Sequence, residues 1–190
     1  MQNALAFSHQ LLKEVIQPGE IAVDATMGNG HDTLFLAQLV GRSGQVYACD
    51  LQEQALANTR QRLTEANLLP RVTLLHCGHE ELDRHLPEQK IKGAIFNLGY
   101  LPQSDKAVIT LPETTIAALE ILLERLAYRG QIVIVCYYGH PGGQAELDEV
   151  RAFCQALPQK EYSVLNYQFV NQQNQPPLLF CIEKIAKSKF

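Results

Sequence analysis

Residues 24–33, DATMGNGHDT, set one acid, Asp24, at the end of the apolar run IAVDA, then Gly28 and Gly30, then a second acid, Asp32. A glycine turn between a strand and a helix is where an α/β sheet keeps its ligand. Glycines permit the turn and a close backbone approach, and the helix start offers free N–H groups. Asn29 and Asp32 add side-chain hydrogen bonding, while Asp24 can accept from loop amides or bind a cationic group. Twenty residues beyond Gly30 the run QVYACD ends in Asp50, placed to accept both hydroxyls of a ribose. These features together point to a nucleoside-containing cofactor. The dinucleotide fingerprint would need a glycine where the chain has Thr33, and it rarely carries an acid four residues before its first glycine, so NAD is disfavoured. S-adenosylmethionine has no pyrophosphate to cradle but has an amino group and a sulfonium, which suit an acidic glycine loop.

Two further loops bear chemistry-capable residues. HCGHEEL (76–82) puts Cys77, Gly78 and His79 beside the expected ribose, where they would border an adenine. FNLGYLPQSDK (96–106) brings Asn97 to a strand end facing the methyl donor, Gly99 to bend the backbone, and Tyr100 as an aromatic face for a planar base. Asn97 and a nearby carbonyl could accept hydrogen bonds from an amine and aim its lone pair, which is the main requirement of an in-line methyl transfer. Asp105 or His140 could take the amine proton, and Lys106 could hold a phosphate. YYGHPGG (137–143) sets Tyr137, Tyr138 and His140 at the same edge, where a flipped base could stack. His9, His76 and His85 have no evident partner and read as structural, although His9, on the first helix, could reach the site.

The elements that must position these loops are legible from hydrophobic period. Apolar runs at 21–25, 45–50, 71–77, 92–99 and 131–138 have the Val/Ile-rich character of parallel strands buried on both faces. Stretches with apolar residues three and four apart, such as Leu119, Leu122, Leu123 and Leu126 within PETTIAALEILLERLAYRG, read as amphipathic helices between them. The expected fold is α/β with a doubly wound, mostly parallel sheet. A helix over roughly residues 3–16 precedes it, and an antiparallel hairpin over 161–184 closes it. One domain over 1–190 is expected.

Composition narrows the class. With 46% hydrophobic and 19% charged residues and a net charge of -4, the chain is an ordinary globular protein and not a nonspecific nucleic-acid coat. No run approaches a membrane span, and the N-terminus lacks a signal-peptide pattern, so a cytoplasmic protein without a membrane partner is expected. The five cysteines stand singly, without C-x-x-C spacing, so they are expected to be reduced and to hold no metal.

The ordered motifs DATMGNGHDT, CDLQ, NLGYLPQSDK, YYGHPGG and NQQNQPPLLFCIEK resemble the YtqB/MnmM family of bacterial class I S-adenosylmethionine methyltransferases, and the likeness runs through nearly the whole chain. The resemblance implies a Rossmann-like seven-stranded sheet with an antiparallel last strand and helices on both faces. It implies methylation of the amine of 5-aminomethyl-(2-thio)uridine at the tRNA wobble position, with the tRNA anticodon region as partner. Residue by residue, the donor site falls on Asp24, Thr26, Gly28, Asn29, Gly30, Asp32, Asp50 and Gln52, with Gly78 and His79 near the adenine. The acceptor side falls on Asn97, Tyr100, Asp105, Lys106, Tyr138 and His140. Gln103 and Ser104 stand where other members have a glycine pair. Asn97-Leu98-Gly99-Tyr100 is similar to the Asn/Asp-Pro-Pro-Tyr loop of amino methyltransferases without its prolines, which favours nitrogen as acceptor. No cysteine lies in it to support a covalent route. An rRNA or small-amine acceptor, and a noncatalytic cofactor- or RNA-binding module, are the alternatives. A homodimer would enlarge the RNA surface, but no sequence feature specifies one.

Overall fold

In the computed structural model, which describes residues 1–99 and 110–187, the apolar runs become β1 (Ile21–Asp24), β2 (Gln45–Asp50), β3 (Val72–His76), β4 (Ile91–Leu98) and β5 (Leu126–Cys136). The terminal pair becomes β6 (Tyr162–Tyr167) and β7 (Leu178–Lys184). All seven share one sheet in the order β3-β2-β1-β4-β5-β7-β6. β7 lies antiparallel between β5 and β6, whereas the first five strands pair in parallel. The hairpin and the antiparallel last strand are therefore as expected.

Side chains alternate across the strands and feed two cores. Ala22, Ile95, Val133, Val135 and Leu179 pack with the helices α1 (Ala4–Val15), α2 (His31–Leu39) and α3 (Glu53–Glu65). Val23, Phe96, Ile132, Ile134 and Phe180 pack with α4 (Pro112–Arg125) and α5 (Gly143–Ala156) on the opposite face. α1 is capped by Asn3, whose Oδ1 accepts from the Ala6 amide at 2.8 Å and so satisfies one of the open helix donors. The helix lies so close to β4 that a Cβ on Gly93 would come within 2.6 Å of Ile16 Cδ1.

One expected helix is shorter than its pattern. The apolar spacing carries the helix of Leu119 on through LAYRG, but α4 stops at Arg125 and Leu126 opens β5, opposite Ile91. The next register partners are Gly93 and Gln131, so the residues between them bulge, with Arg129 left-handed at φ 59°. Leu126 is fully buried in either role, which is why apolar spacing could not tell helix from strand there. Among the described residues, no helix is long and apolar enough to cross a membrane. Cys49, Cys136, Cys154 and Cys181 are buried free thiols, and burial pushes Cys154 and Cys181 up to about 12, so they behave as core hydrophobes.

Candidate active site

β1 and β4 are neighbours whose following connections leave in opposite directions, which opens a crevice at their carboxyl ends. A cavity of about 600 Å³ lies there, within the range of small-molecule sites. Thr26, Gly28, Asn29, Asp32, Asp50, Gln52, Gly78, His79 and Asn97 all line it, so four separate motifs meet at one site.

The glycine loop is held by its acids. Asp50 accepts from the Gly28 amide at 3.0 Å through Oδ2 and from the Gln52 amide at 2.9 Å through Oδ1. A carboxylate has about four lone-pair directions, so two remain for a diol. Thr26 Oγ1 accepts from the Asn97 amide at 2.8 Å, which ties the loop after β1 to the end of β4. From α3, Asn58 Nδ2 donates to Asn29 Oδ1 at 2.8 Å, Thr59 Oγ1 to the Gly28 carbonyl at 3.0 Å, and Arg62 Nε to the Asn29 carbonyl at 2.8 Å. These three clamps were missed in the sequence. Their signal is spacing, since positions 58, 59 and 62 share one helix face.

Two expected donor-site residues are placed differently. Asp24 is buried behind the loop and off the cavity, accepting from the Thr33 hydroxyl at 2.6 Å and the Thr26 amide at 3.2 Å. Of its two possible roles it takes the first, because β1 is covered on both faces and its end residue points into protein. Thr33, which displaced the third glycine of a dinucleotide motif, is the partner of this acid. Gly30 is also off the cavity. With φ +76°, it lets α3 approach so closely that a Cβ would lie 2.7 Å from Thr59 Oγ1 and 2.9 Å from Thr59 Cα. Its requirement for glycine comes from its left-handed backbone and from this packing.

Burial, then the neighbouring Asp32 carboxylate, raises the Asp24 carboxyl from 3.8 to about 8. A raised carboxyl binds its proton more tightly folded than unfolded, so its contribution is fully present below pH 3.8 and is lost as pH rises through about 8. Asp24→Asn, whose amide can pair with both Thr26 and Thr33, should remove that loss. Thermal melts at pH 5.5 and 8.5 should show the variant gaining on the native chain by at least about 3 °C at the higher pH, a shift worth ~1 kcal/mol for a chain of this size. An offset equal at both pH values would place the titration elsewhere.

His79 lines the cavity but spends both nitrogens on protein. Nδ1 lies 3.3 Å from the Ala25 carbonyl, so it carries the proton, and Nε2 lies 3.3 Å from Thr114 Oγ1. Burial lowers its pKa and so favours the neutral ring. The ring ties the end of β1 to α4.

On the acceptor side, Asn97 Nδ2 donates to Asp32 Oδ2 at 2.5 Å, and Asp32 Oδ1 meets His9 Nε2 at 2.5 Å. Tyr137 lines the cavity and Tyr138 does not: Tyr138 packs against the α4/α5 core. The expected aromatic contact therefore moves by one residue, because side chains beyond the end of β5 still alternate. Tyr137 sits near Asp32, whose charge adds to burial in raising the phenol pKa. His140 Nδ1 faces the Pro141 carbonyl at 3.0 Å, and its Nε2 lies near Gly99. Buried Glu146 of α5 accepts from Thr110 at 2.7 Å and Thr115 at 2.7 Å, and Thr110 Oγ1 accepts from the Gly99 amide at 3.1 Å. Tyr100, Asp105 and Lys106 lie outside the described residues. Leu51 and Leu111, also lining the cavity, are 59% and 49% exposed and offer apolar walls at its mouth.

These residues fit S-adenosylmethionine. A carboxylate with lone pairs unused among the described residues stands at the end of β2, glycine-loop residues border the cavity, and apolar walls flank a space of suitable size.

The model of the family described as "Putative rRNA methylase" matches residues 46–183. A protein of Arabidopsis thaliana named tRNA (mnm(5)s(2)U34)-methyltransferase, chloroplastic, is 36% identical over 192 residues, spanning 96% of this chain and 70% of that protein. Among solved structures, a "putative rRNA-methylase" from Clostridium thermocellum superposes with a TM-score of 0.95 at 45% identity, covering 97% of this chain and 99% of the other. A "putative methyltransferase" from Streptococcus mutans, solved in complex with SAH, gives 0.89 at 43% identity with the same coverage. With three quarters of the sequence matching one family and the sheet order of a class I methyltransferase, the chain belongs to the putative rRNA methylase family.

Proposed function

We propose that this protein uses S-adenosylmethionine to methylate the amine of 5-aminomethyl-(2-thio)uridine at the tRNA wobble position, giving the 5-methylaminomethyl form. The chemistry supplied at the donor site is an electrophilic methyl group carried on a sulfonium. Asp50 receives the ribose hydroxyls on its two remaining lone-pair directions. Leu51, Gly78 and His79 border the adenine, while Gly28 and Asn29 border the methionyl end.

The observation that carries the acceptor reading is the Asn97–Asp32 hydrogen bond. Asn97 turns its NH2 toward the Asp32 carboxylate, which leaves Oδ1 without a partner among the described residues. A carbonyl oxygen at the end of β4 accepts from an amine N–H and aims the nitrogen lone pair, which is orientation catalysis. Tyr137 offers the uracil an aromatic face. His140 or Asp105 receives the proton released after transfer, and Tyr100 and Lys106 complete the acceptor side with a ring and a phosphate contact. The relative in Arabidopsis, named for the same wobble nucleoside, supports this reading. On this proposal the protein works in the cytoplasm with tRNA as its partner and the anticodon region as the part that enters the cavity.

The test is reconstitution. Purified protein, S-adenosylmethionine and tRNA bearing 5-aminomethyl-2-thiouridine should yield 5-methylaminomethyl-2-thiouridine by nucleoside mass spectrometry. Methyl incorporation into rRNA alone would replace the substrate, and none into any RNA or amine would leave a binding module.

A further inference from the structure

We propose that His9 is a positioning residue for Asn97, acting through Asp32, so that the N-terminal helix forms part of the methyl-transfer site. The proposal rests on the amine-aiming role given to Asn97 above. His9 lies on α1, outside the residues 46–183 that match the family model, and the helix also lends Leu5 to the cavity wall.

The geometry is a chain of three side chains from three elements. Asp32, in the first turn of α2 and 8% exposed, uses one carboxylate oxygen on His9 Nε2 and the other on Asn97 Nδ2. With both oxygens engaged, the plane of the carboxylate is set by its two partners. Asn97 alone could not set it, because a carboxylate anchored at one oxygen still turns about its Cβ–Cγ bond, for which rotamer preferences are broad. His9 is itself held. Its ring stacks on Phe35 of α2 with centroids 4.0 Å apart and planes 10° from parallel, so α1 and α2 share the same anchor. α1 in turn packs beneath β4 and β5, with Leu12 and Ile16 buried against Gly93. Order passes from the α1/β4 packing through His9 and Asp32 to the amide that faces the acceptor. Facing a carboxylate, Nε2 carries the proton and donates it.

His9→Leu keeps apolar contact with Phe35 and removes the donor, whereas His9→Gln keeps an N–H donor. Leu should lower kcat about 10-fold with the S-adenosylhomocysteine Kd changed less than about 2-fold, and Gln should recover part of the loss. The effect should vanish in an Asn97→Ala background, since His9 then has nothing to position. An equal loss in both backgrounds, with no recovery by Gln, would reduce His9 to a packing residue. A second readout needs no turnover. In 15N-labelled protein the Asn97 side-chain amide pair, assigned by its absence in Asn97→Ala, should shift on His9→Leu. An unmoved pair would overturn the proposal. If the native protein methylates no amine, the function proposed above fails, and the amide resonance still decides whether His9 positions Asn97.

Discussion

Asp50→Ala is expected to weaken S-adenosylhomocysteine binding by about 100- to 10,000-fold. Two hydrogen bonds from ribose hydroxyls to an ionised acceptor are worth roughly 1.5–3 kcal/mol each, and each 1.4 kcal/mol is about tenfold in affinity. A second loss accompanies the first. Asp50 also accepts from the Gly28 and Gln52 amides, so the variant frees the glycine loop and the first turn of α3 at the same time. Asp50→Asn should not restore binding, because its NH2 would face one of those backbone donors. Isothermal titration with S-adenosylhomocysteine measures the loss. Near-native affinity in Asp50→Ala would remove the ribose from this acid, and with it the placement of the whole donor.

Asn97→Ala should show the opposite split. Turnover is expected to fall about 100-fold, the scale on which misplacing a reacting group costs rate, while S-adenosylhomocysteine affinity stays within about 2-fold, the split expected of the acceptor-positioning role proposed for this side chain. The backbone amide of Asn97, which donates to Thr26 Oγ1, is retained, so the link between β1 and β4 survives. Asn97→Asp is the sharper variant. It would set a second carboxylate against Asp32 and should be at least as impaired, through like-charge repulsion and loss of the NH2 donor. Single-turnover rates with saturating donor isolate the chemical step. Unchanged turnover in Asn97→Ala would move amine positioning to another group.

Much of this architecture is local in origin and was therefore readable in advance. The Val/Ile runs, the helical spacing between them and the closing pair around QQNQPP yielded five parallel strands and a hairpin, because period and turn chemistry act over a few residues. The meeting of Asp50, Gly28 and Asn97 at one cavity also follows from chain order, since successive parallel strands present their carboxyl ends on one edge of a sheet. The misreadings arose where two environments share a pattern. LAYRG is apolar enough for a helix end, and only pairing with β4 made it strand. Gly30 looked like a ligand glycine, although the object that approaches it is Thr59, nearly thirty residues away.

The sequence by itself determined the donor side: a strand, an acid, a glycine turn and a second acid twenty residues on can be counted along the chain, because the βαβ unit sets their spacing. Only the tertiary structure decided which of those acids faces the cavity. Asp24 and Asp50 both end strands, but β1 is a central strand and buries its acid at about pKa 8, while β2 lies one strand farther out and leaves its acid half-exposed. Nor could the sequence join His9 to Asp32 and Asn97. That chain depends on how a helix outside the repeating unit lies across the sheet, and helix docking is set by side-chain packing over the whole face.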